Sequence, residues 1–206
     1  MIGSGSTGGW PEGMTIMIED RDPELLALLF SRAVRGLRAG AAVPTGLTSD
    51  PPPLGGTPGD PPSGLSAEWD AAWALRLEHL DDLDDFDIEG RGLDAYFAAW
   101  QAAQDALPVP WSDRMQEWLD SSGYVDWVDS ACRRTDLDIR PGVLPALVGA
   151  WRRGLRTVTL LPLTGPYVLA PSPQRMVVSA FTWSSDEEMV GALRSWTGEK
   201  PPQPDR

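Results

Sequence analysis

The sequence has very few residues of the types that carry out most enzymatic chemistry. It contains one cysteine, one histidine and no asparagine, and Lys200 is its single lysine beside sixteen arginines. One cysteine cannot form an internal disulfide, a pattern typical of reducing compartments, so we expect a cytoplasmic protein. Schiff-base chemistry and a P-loop phosphate site both need a lysine in the folded core, and Lys200 lies in a proline-rich tail.

The single histidine and the single cysteine also exclude most metal and nucleophile sites. A zinc site needs three or four ligands, and here only carboxylates would be left to supply them. A papain-like pair would require Cys132 to meet His79 with no asparagine to orient the imidazole ring. We therefore expect a structural cysteine and a surface histidine, which favours a non-catalytic protein and leaves a metal-dependent enzyme as the alternative.

Long hydrophobic runs are missing as well. The longest run, residues 25–30, is far shorter than the roughly 20 residues that span a bilayer. The first residues, MIGSGSTGGW, have neither a charged segment nor an apolar segment of a signal peptide. We expect no membrane partner, and Met1, Met14 and Met17 are three possible translation starts.

Charge of one sign is concentrated in one part of the chain. The net charge is −13, and residues 66–138 contain eighteen Asp or Glu and five Arg, which is 5 − 18 = −13. The remaining residues contain twelve acids and twelve bases, and residues 139–175 have five arginines and no carboxylate. Such a potential repels nucleic acid and attracts basic molecules. We therefore expect a basic protein partner and no nucleic acid.

Composition and pattern together predict the organisation of the chain. The predicted segments are a flexible leader (1–21), an N-terminal helix (22–40), a Pro/Gly-rich linker (41–65), a single α+β domain (66–198) and a disordered tail (199–206). Within the domain, residues 66–138 form the acidic helical part and residues 139–198 the basic part with the strands.

Periodicity predicts the elements of that domain. Apolar residues recur at helical spacing in residues 25–37, 69–80, 93–107, 115–119, 124–131 and 143–151. Three runs favour strands: RTVTLL (156–161), YVLA (167–170) and RMVVSAF (175–181). Ser185 and Glu188 have the spacing of a capping box for a last helix. We predict an α+β fold that is mostly helical, with a small antiparallel β-sheet of about three strands near the C-terminus and a final helix.

The stretch EHLDDLDDFDIEG, residues 78–90, resembles two metal-binding patterns without completing either. Residues 85–90 match the first half of a calcium loop, but Tyr96 stands where the bidentate carboxylate should be. Residues 81–85 fit the DDxxD pattern of magnesium sites, but the chain has no second such motif. The candidate ligands for Ca²⁺ or Mg²⁺ are Asp81, Asp82, Asp85, Asp87 and Glu89.

The same carboxylates favour protein recognition. Our leading hypothesis is a non-catalytic interaction module, of the inhibitor or immunity type, that binds a basic partner through its acidic half. The candidate contact residues are Asp81, Asp82, Asp84, Asp85, Asp87 and Glu89. The alternative is a divalent-cation-binding protein or metal-dependent enzyme that uses this cluster together with His79.

Two further expectations concern the rest of the domain. A groove between the helices and the C-terminal sheet would hold an anion on arginines, and the candidates are Arg152, Arg153, Arg156 and Arg175. Most of the ten Trp fall at core spacing, whereas Trp10, Trp111 and Trp183 lie at the edges of elements. We expect those three to make exposed contacts.

Overall fold

The computed structural model describes residues 10–38, 40, 43–52, 64–80, 119–120, 122–133 and 136–198. In these residues the helices are α1 (Pro23–Arg35), α2 (Leu65–Glu78), α3 (Ser122–Cys132), α4 (Leu144–Arg152), α5 (Ala180–Ser184) and α6 (Asp186–Ser195). The strands are β1 (Met17–Glu19), β2 (Thr157–Leu161), β3 (Val168–Leu169) and β4 (Arg175–Ser179). The predicted α+β class is confirmed.

The chain divides into two compact units. Unit 1 takes its described residues from Met1–Asp22, Val43–Asp50 and Trp127–Arg206, and it contains the whole sheet. Unit 2 takes its described residues from Pro23–Ala42 and Pro51–Asp126, and it contains α1 and α2.

The sheet of unit 1 differs from the predicted one in number and orientation of strands. In the described residues it has four strands in the order β1-β2-β4-β3. β1 pairs with β2 and β2 with β4 in parallel, and only β3 is antiparallel to its neighbour. The prediction of about three antiparallel strands is therefore wrong. Period-two patterns locate strands but do not report their direction, and the connection over residues 162–174 is long enough to return the chain in parallel.

The extra strand comes from residues that we expected to belong to a flexible leader. Met17, Ile18 and Glu19 pair with residues 157–159, and Met17 N–H also donates to Arg156 O at 2.8 Å. Three residues are too few for a period-two pattern to stand out. In the described part of this range, Met14 and Ile16 are buried, so the segment also contributes to the core.

One face of the sheet is the hydrophobic core of unit 1. β2 and β4 place Val158, Leu160, Met176 and Val178 on this face, where α4 and α6 cover them. Leu147 and Ala150 of α4 and Met189 and Leu193 of α6 belong to the same buried cluster. Burial of this apolar surface is the main stabilising term for the unit.

The opposite face of β2 and β4 is the more polar one, although both strands are buried along their whole length. This face carries Thr157, Thr159, Arg175 and Ser179 together with the apolar Leu161 and Val177. Buried polar groups must be paired within the protein to avoid a desolvation penalty. The hydrogen bonds and the ion pair made by the polar side chains of this face therefore matter for stability.

Two local signals connect the elements of unit 1. Gly154 follows α4 with φ 112°, a conformation that glycine adopts without strain and that turns the chain into β2. Ser179 ends β4 and caps α5 at once, because its Oγ accepts a hydrogen bond from Thr182 N–H at 3.0 Å. Strand and helix are therefore joined without a loop.

Unit 2 is organised around α1 and α2. The helix predicted over residues 22–40 covers Pro23–Arg35 and ends at Gly36, whose φ is 60°. Trp69 Nε1–H donates to Leu28 O at 2.7 Å, and the Trp69 ring stacks on Trp73 with 5.1 Å between ring centroids. The hydrogen bond joins the α1 backbone to an α2 side chain, and the stacking lies within α2.

Several predicted segments lie partly or wholly outside the described residues. The helices expected over 93–107 and 115–119 and the tail 199–206 belong to this group, except for residue 119. Of the expected linker, residues 46–48 run beside residues 162–164, with Thr48 N–H donating to Pro162 O at 3.0 Å and Thr164 N–H to Gly46 O at 3.0 Å. Among the described helices, none has the length and apolarity that crossing a bilayer requires.

The predicted capping box generates a test of the C-terminal helix. Ser185 is the N-cap of α6, and its Oγ accepts from Glu188 N–H at 3.3 Å. Ser185→Ala should lower the free energy of unfolding by about 1 kcal/mol, because a helix N–H loses its acceptor. Urea unfolding followed by circular dichroism measures the change.

Ser195→Ala is the matched control at the other end of the same helix. Its hydroxyl only donates to Ala192 O at 2.9 Å, so the expected loss stays below about 0.5 kcal/mol. Equal losses in the two variants would contradict the capping role of Ser185.

Candidate functional site

The acidic stretch begins where α2 ends. The last helical residue is Glu78, and His79 is the C-cap, with its backbone N–H shared between Leu75 O and Arg76 O at 3.2 Å each. His79 is partly exposed, as expected for a surface histidine. The helix carrying Trp69 and Trp73 therefore stops immediately before the run of carboxylates.

The candidate carboxylates themselves fall outside the described residues. This holds for all six, namely Asp81, Asp82, Asp84, Asp85, Asp87 and Glu89. Their roles in metal or partner binding remain predictions. Among the described residues, no group of three His, Cys, Asp or Glu is placed to hold a metal ion.

The described carboxylates of the acidic segment are mostly solvent-exposed. The exposed ones are Glu68, Glu78, Asp120, Asp126, Asp136 and Asp138. In contrast, Arg76, the basic residue in the last turn of α2, is buried and forms an ion pair with Glu24 of α1. The positive charge near the end of α2 is thus neutralised inside unit 2.

Arg175, one of the four predicted anion-binding arginines, is held inside the sheet of unit 1. It is 1% exposed, and its Nη1 donates to Glu19 Oε1 of β1 and to Thr159 Oγ1 of β2 at 2.7 Å. Thr159 Oγ1 in turn donates to Glu19 Oε1 at 2.6 Å. Three neighbouring strands are therefore connected across the polar face by one hydrogen-bonded triangle.

The other three arginines lie at the end of α4 and just beyond it. Arg153 donates to Trp196 O at 3.0 Å and to Leu193 O at 2.6 Å, which satisfies carbonyls at the C-terminus of α6. Arg156 donates from Nη1 to Trp151 O and Leu155 O, both at 2.9 Å. Arg152 is exposed. The four side chains thus make separate contacts, and their binding of an anion remains a prediction.

A groove opens beside α5 in unit 1, and its lining contains none of the four arginines that were expected to line a groove. Its volume is about 560 Å³, and its lining comes from the 43–50 segment, the chain before α4, the turn after β2, and α5. The lining residues used below are Asp136, Arg140, Leu163, Thr164, Phe181 and Trp183. No local pattern predicts this groove because its walls come from residues far apart in the chain.

Arg140 and Trp183 contact one another at the groove through a hydrogen bond and a cation–π contact. Arg140 donates from Nε to Asp186 Oδ1 and from Nη2 to Trp183 O, and its guanidinium carbon lies 6.0 Å from the centroid of the Trp183 ring. Trp183 Nε1–H donates to Asp136 O at 2.7 Å. Trp183 is only 2% exposed, so the expectation that it makes an exposed contact is wrong. Its position at the C-terminal side of α5 points it inward.

Cys132 is buried at the end of α3. Its Sγ donates to Asp20 O at 3.0 Å, and the thiol is 3% exposed. Burial raises the pKa of Cys132 to about 11, and the negative charges of Asp20 and Asp129 add to the effect against a small opposing effect of Arg21. At neutral pH the sulfur is therefore a protonated thiol and a poor nucleophile.

Comparisons of the chain with protein-family models, with curated proteins and with solved structures found no match. Function is therefore inferred from the residues and their contacts.

The triangle of Glu19, Thr159 and Arg175 generates a test of the sheet. Arg175→Met leaves the Glu19 carboxylate without its cation. Losing one partner of a buried pair costs about 3–5 kcal/mol, and because the Glu19 side chain is 28% exposed we expect a loss of about 2–4 kcal/mol. Urea unfolding measures it.

The double variant Glu19→Leu with Arg175→Met removes both charges and should recover more than half of that loss. Arg194→Met, at an exposed position of α6, is the control and should change stability by less than about 0.5 kcal/mol. A double variant as unstable as Arg175→Met would show that the pairing of charges is not the cause.

The environment of Cys132 predicts slow alkylation. Since its pKa rises from 9.0 to about 11, the thiolate fraction at pH 8 falls about a hundredfold relative to the unfolded chain. The rate of alkylation by iodoacetamide, followed by mass spectrometry, should be lower in the native than in the urea-unfolded protein by this factor or a larger one. Equal rates in the native and the urea-unfolded protein would contradict the assignment.

The raised pKa of Cys132 also makes the stability of the protein depend on pH. The folded pKa lies above the unfolded one, so the stabilising contribution is complete below about pH 9 and is lost as the pH rises towards about 11. The difference in unfolding free energy between wild type and Cys132→Ser should shrink over that window.

Proposed function

We propose that this protein is a non-catalytic interaction module whose acidic segment binds a partner protein rich in Arg and Lys, in the manner of an inhibitor or immunity protein. The observation that carries the proposal is the distribution of charge. Residues 66–138 hold the entire excess of −13, and the densest part of it, residues 78–89, starts at the C-terminus of α2.

The position of this run at a helix end adds to its negative potential. The C-terminus of a helix carries about half a negative charge from its last carbonyl groups. Basic side chains usually offset that charge, but the basic residue of the last turn, Arg76, is buried against Glu24. A run of carboxylates that starts here repels itself, so it lowers the stability of the free protein. A basic partner would relieve that repulsion on binding.

The described arginines of unit 1 are largely engaged within their own unit. Arg175 is paired with Glu19, Arg140 with Asp186, and Arg153 with helix-end carbonyls. These contacts fix the positive charges in place. The acidic segment is therefore the strongest charged feature that remains for an outside partner.

Electrostatic attraction of this kind affects the rate of association and the choice of partner more than it affects affinity. Single exposed ion pairs contribute about 0.2–1 kcal/mol each, so a strong effect requires several at once. Clustered charges steer encounter, and salt weakens the steering over a Debye length of about 8–10 Å. A module of this class should consequently bind its partner faster and more tightly at low salt.

The chemistry of the described residues supports a binding role. The single cysteine is buried with a raised pKa, and the single histidine lies at a helix end, outside any described cluster of carboxylates or nucleophiles. The alternative proposal is that the same carboxylates bind a divalent cation. The two proposals are separable by the experiment below.

Three substitutions test the acidic segment. Asp81, Asp82 and Asp85 are replaced by Asn, and the variant is titrated against a fluorescein-labelled peptide of nine arginines. Three surface contacts of about 0.5 kcal/mol each predict a Kd about tenfold weaker than wild type at about 25 mM NaCl. Fluorescence anisotropy measures the Kd, and the difference should vanish by about 300 mM NaCl.

The matched control changes the same net charge elsewhere. Glu12→Gln, Asp50→Asn and Glu187→Gln replace three exposed carboxylates and should weaken the Kd by less than about twofold. Equal weakening in both variants would sink the proposal, because it would trace binding to net charge. Calorimetry with Ca²⁺, Mg²⁺ and Mn²⁺ tests the metal alternative. Heat of binding with the wild type, and none with the variant Asp81→Asn, Asp82→Asn, Asp85→Asn, would support metal binding.

A further inference from the structure

We propose that the groove beside α5 is a second binding site, specific for a small molecule with one carboxylate attached to an apolar body. The site lies wholly in unit 1, and of the acidic segment 66–138 it uses only Asp136, none of the residues 78–89, so it is independent of the proposed function. Its volume of about 560 Å³ is in the usual range of small-molecule sites.

The positive group of the site is Arg140. Its Nε and Nη2 are used by Asp186 and Trp183, whereas Nη1 has no hydrogen bond to any described residue. The side chain is 30% exposed and lines the groove, so Nη1 is free to donate to a ligand. A guanidinium already fixed by two contacts loses little entropy when it binds a carboxylate.

Leu163 and Ala180 line the groove, but Phe181 supplies most of its exposed apolar surface. Leu163 is fully buried and Ala180 is 9% exposed, but Phe181 is 43% exposed and is one of the few large hydrophobic residues at the described surface. A phenyl ring that lines a groove at such exposure offers its face to an apolar group. The ligand therefore needs an apolar body as well as a charge.

The remaining polar groups limit the charge of the ligand. Thr164 presents a hydroxyl that has no hydrogen bond to any described residue, and Asp136 adds a carboxylate to the lining. Asp136 and Asp186, the ion-pair partner of Arg140, each add a negative charge, so the site disfavours phosphates and other polyanions, and a ligand carboxylate is bound through the Nη1 donor rather than through a net positive charge. One carboxylate opposite Arg140 remains acceptable, and an ammonium group beside Asp136 is tolerated.

The walls are held in place before any ligand binds. Gly46 approaches Thr164 so closely that a Cβ at this position would lie 2.2 Å from Thr164 Oγ1. At the other wall, Phe181 N–H donates to Leu163 O at 3.3 Å, and Ser179 caps α5. A preformed site saves the free energy that ordering loops would otherwise take from binding.

Four phenyl-bearing probes of similar size test the proposal on the full chain. They are 3-phenylpropionate, phenylalanine, 3-phenylpropanol and phenethylamine, measured by calorimetry and saturation-transfer NMR. We expect a Kd of about 1 mM for 3-phenylpropionate, which is usual for about eleven heavy atoms. The neutral alcohol should bind about tenfold more weakly, because it cannot form a charge-assisted hydrogen bond with Arg140.

The probe series also identifies the source of the carboxylate. Phenylalanine that binds as tightly as 3-phenylpropionate identifies an amino acid or a peptide C-terminus as the ligand class. Phenylalanine that binds more weakly identifies a simple carboxylic acid. Phenethylamine or the alcohol binding as tightly as 3-phenylpropionate overturns the assignment to Arg140, and so does the absence of binding by every probe at about 10 mM.

Two substitutions locate the site without disturbing Arg140. Phe181→Ala removes the exposed apolar wall and should raise the Kd of 3-phenylpropionate about tenfold. Val168→Ala is the control, since Val168 is 44% exposed in the same unit and does not line the groove; it should change the Kd by less than about twofold. A Phe181→Ala protein that folds and binds like wild type rules out the groove. The variant Asp81→Asn, Asp82→Asn, Asp85→Asn should bind 3-phenylpropionate with the wild-type Kd. This result keeps the test separate from that of the acidic segment.

Discussion

The parallel pairing of β2 with β4 is the constraint on which the rest of unit 1 depends. It places one apolar face against α4 and α6 and turns the other face, with Thr159 and Arg175, into a polar interior. Because Arg175 is buried there, it needs an anion, and Glu19 of β1 supplies it. The N-terminal segment is therefore held in the sheet by charge as well as by backbone hydrogen bonds. The same pairing directs β4 straight into α5, and α5 presents Phe181 and Trp183 to the groove.

The two charged features of the protein are organised in opposite ways. Arginines of unit 1 are fixed by specific partners, as Arg153 is by the carbonyls of α6, and so they act as structural connectors. The carboxylates that follow Glu78 instead accumulate along a short length of chain. Paired charges are compensated within the fold, whereas accumulated charges of one sign repel one another and attract charges of the opposite sign. This contrast is the physical basis for proposing that the acidic segment binds a partner.

Local signals in the sequence predicted local structure. They did not predict the features that depend on contacts between residues far apart in the chain. Ser185 and Glu188 predicted the start of α6, and the apolar runs located β2, β3 and β4. Strand direction and the recruitment of β1 were missed, since both depend on pairings between residues far apart in the chain. The lining of the groove was missed for the same reason. Trp183 looked like an edge residue by position, but its indole is buried because Asp136 O and Arg140 meet it from another part of the chain.

The recruitment of β1 has a consequence for how the protein is made. Glu19 and Thr159, joined by a hydrogen bond, are 140 positions apart in the chain, and Arg175 is 156 positions from Glu19. A ribosome synthesises Met17–Glu19 well before β2 and β4, so β1 has no partner strand while the residues between them are being made. Contacts of such long range also slow folding, because the loop must close before they form. The N-terminal segment therefore stays without its partner strand until residues 157–159 have left the ribosome.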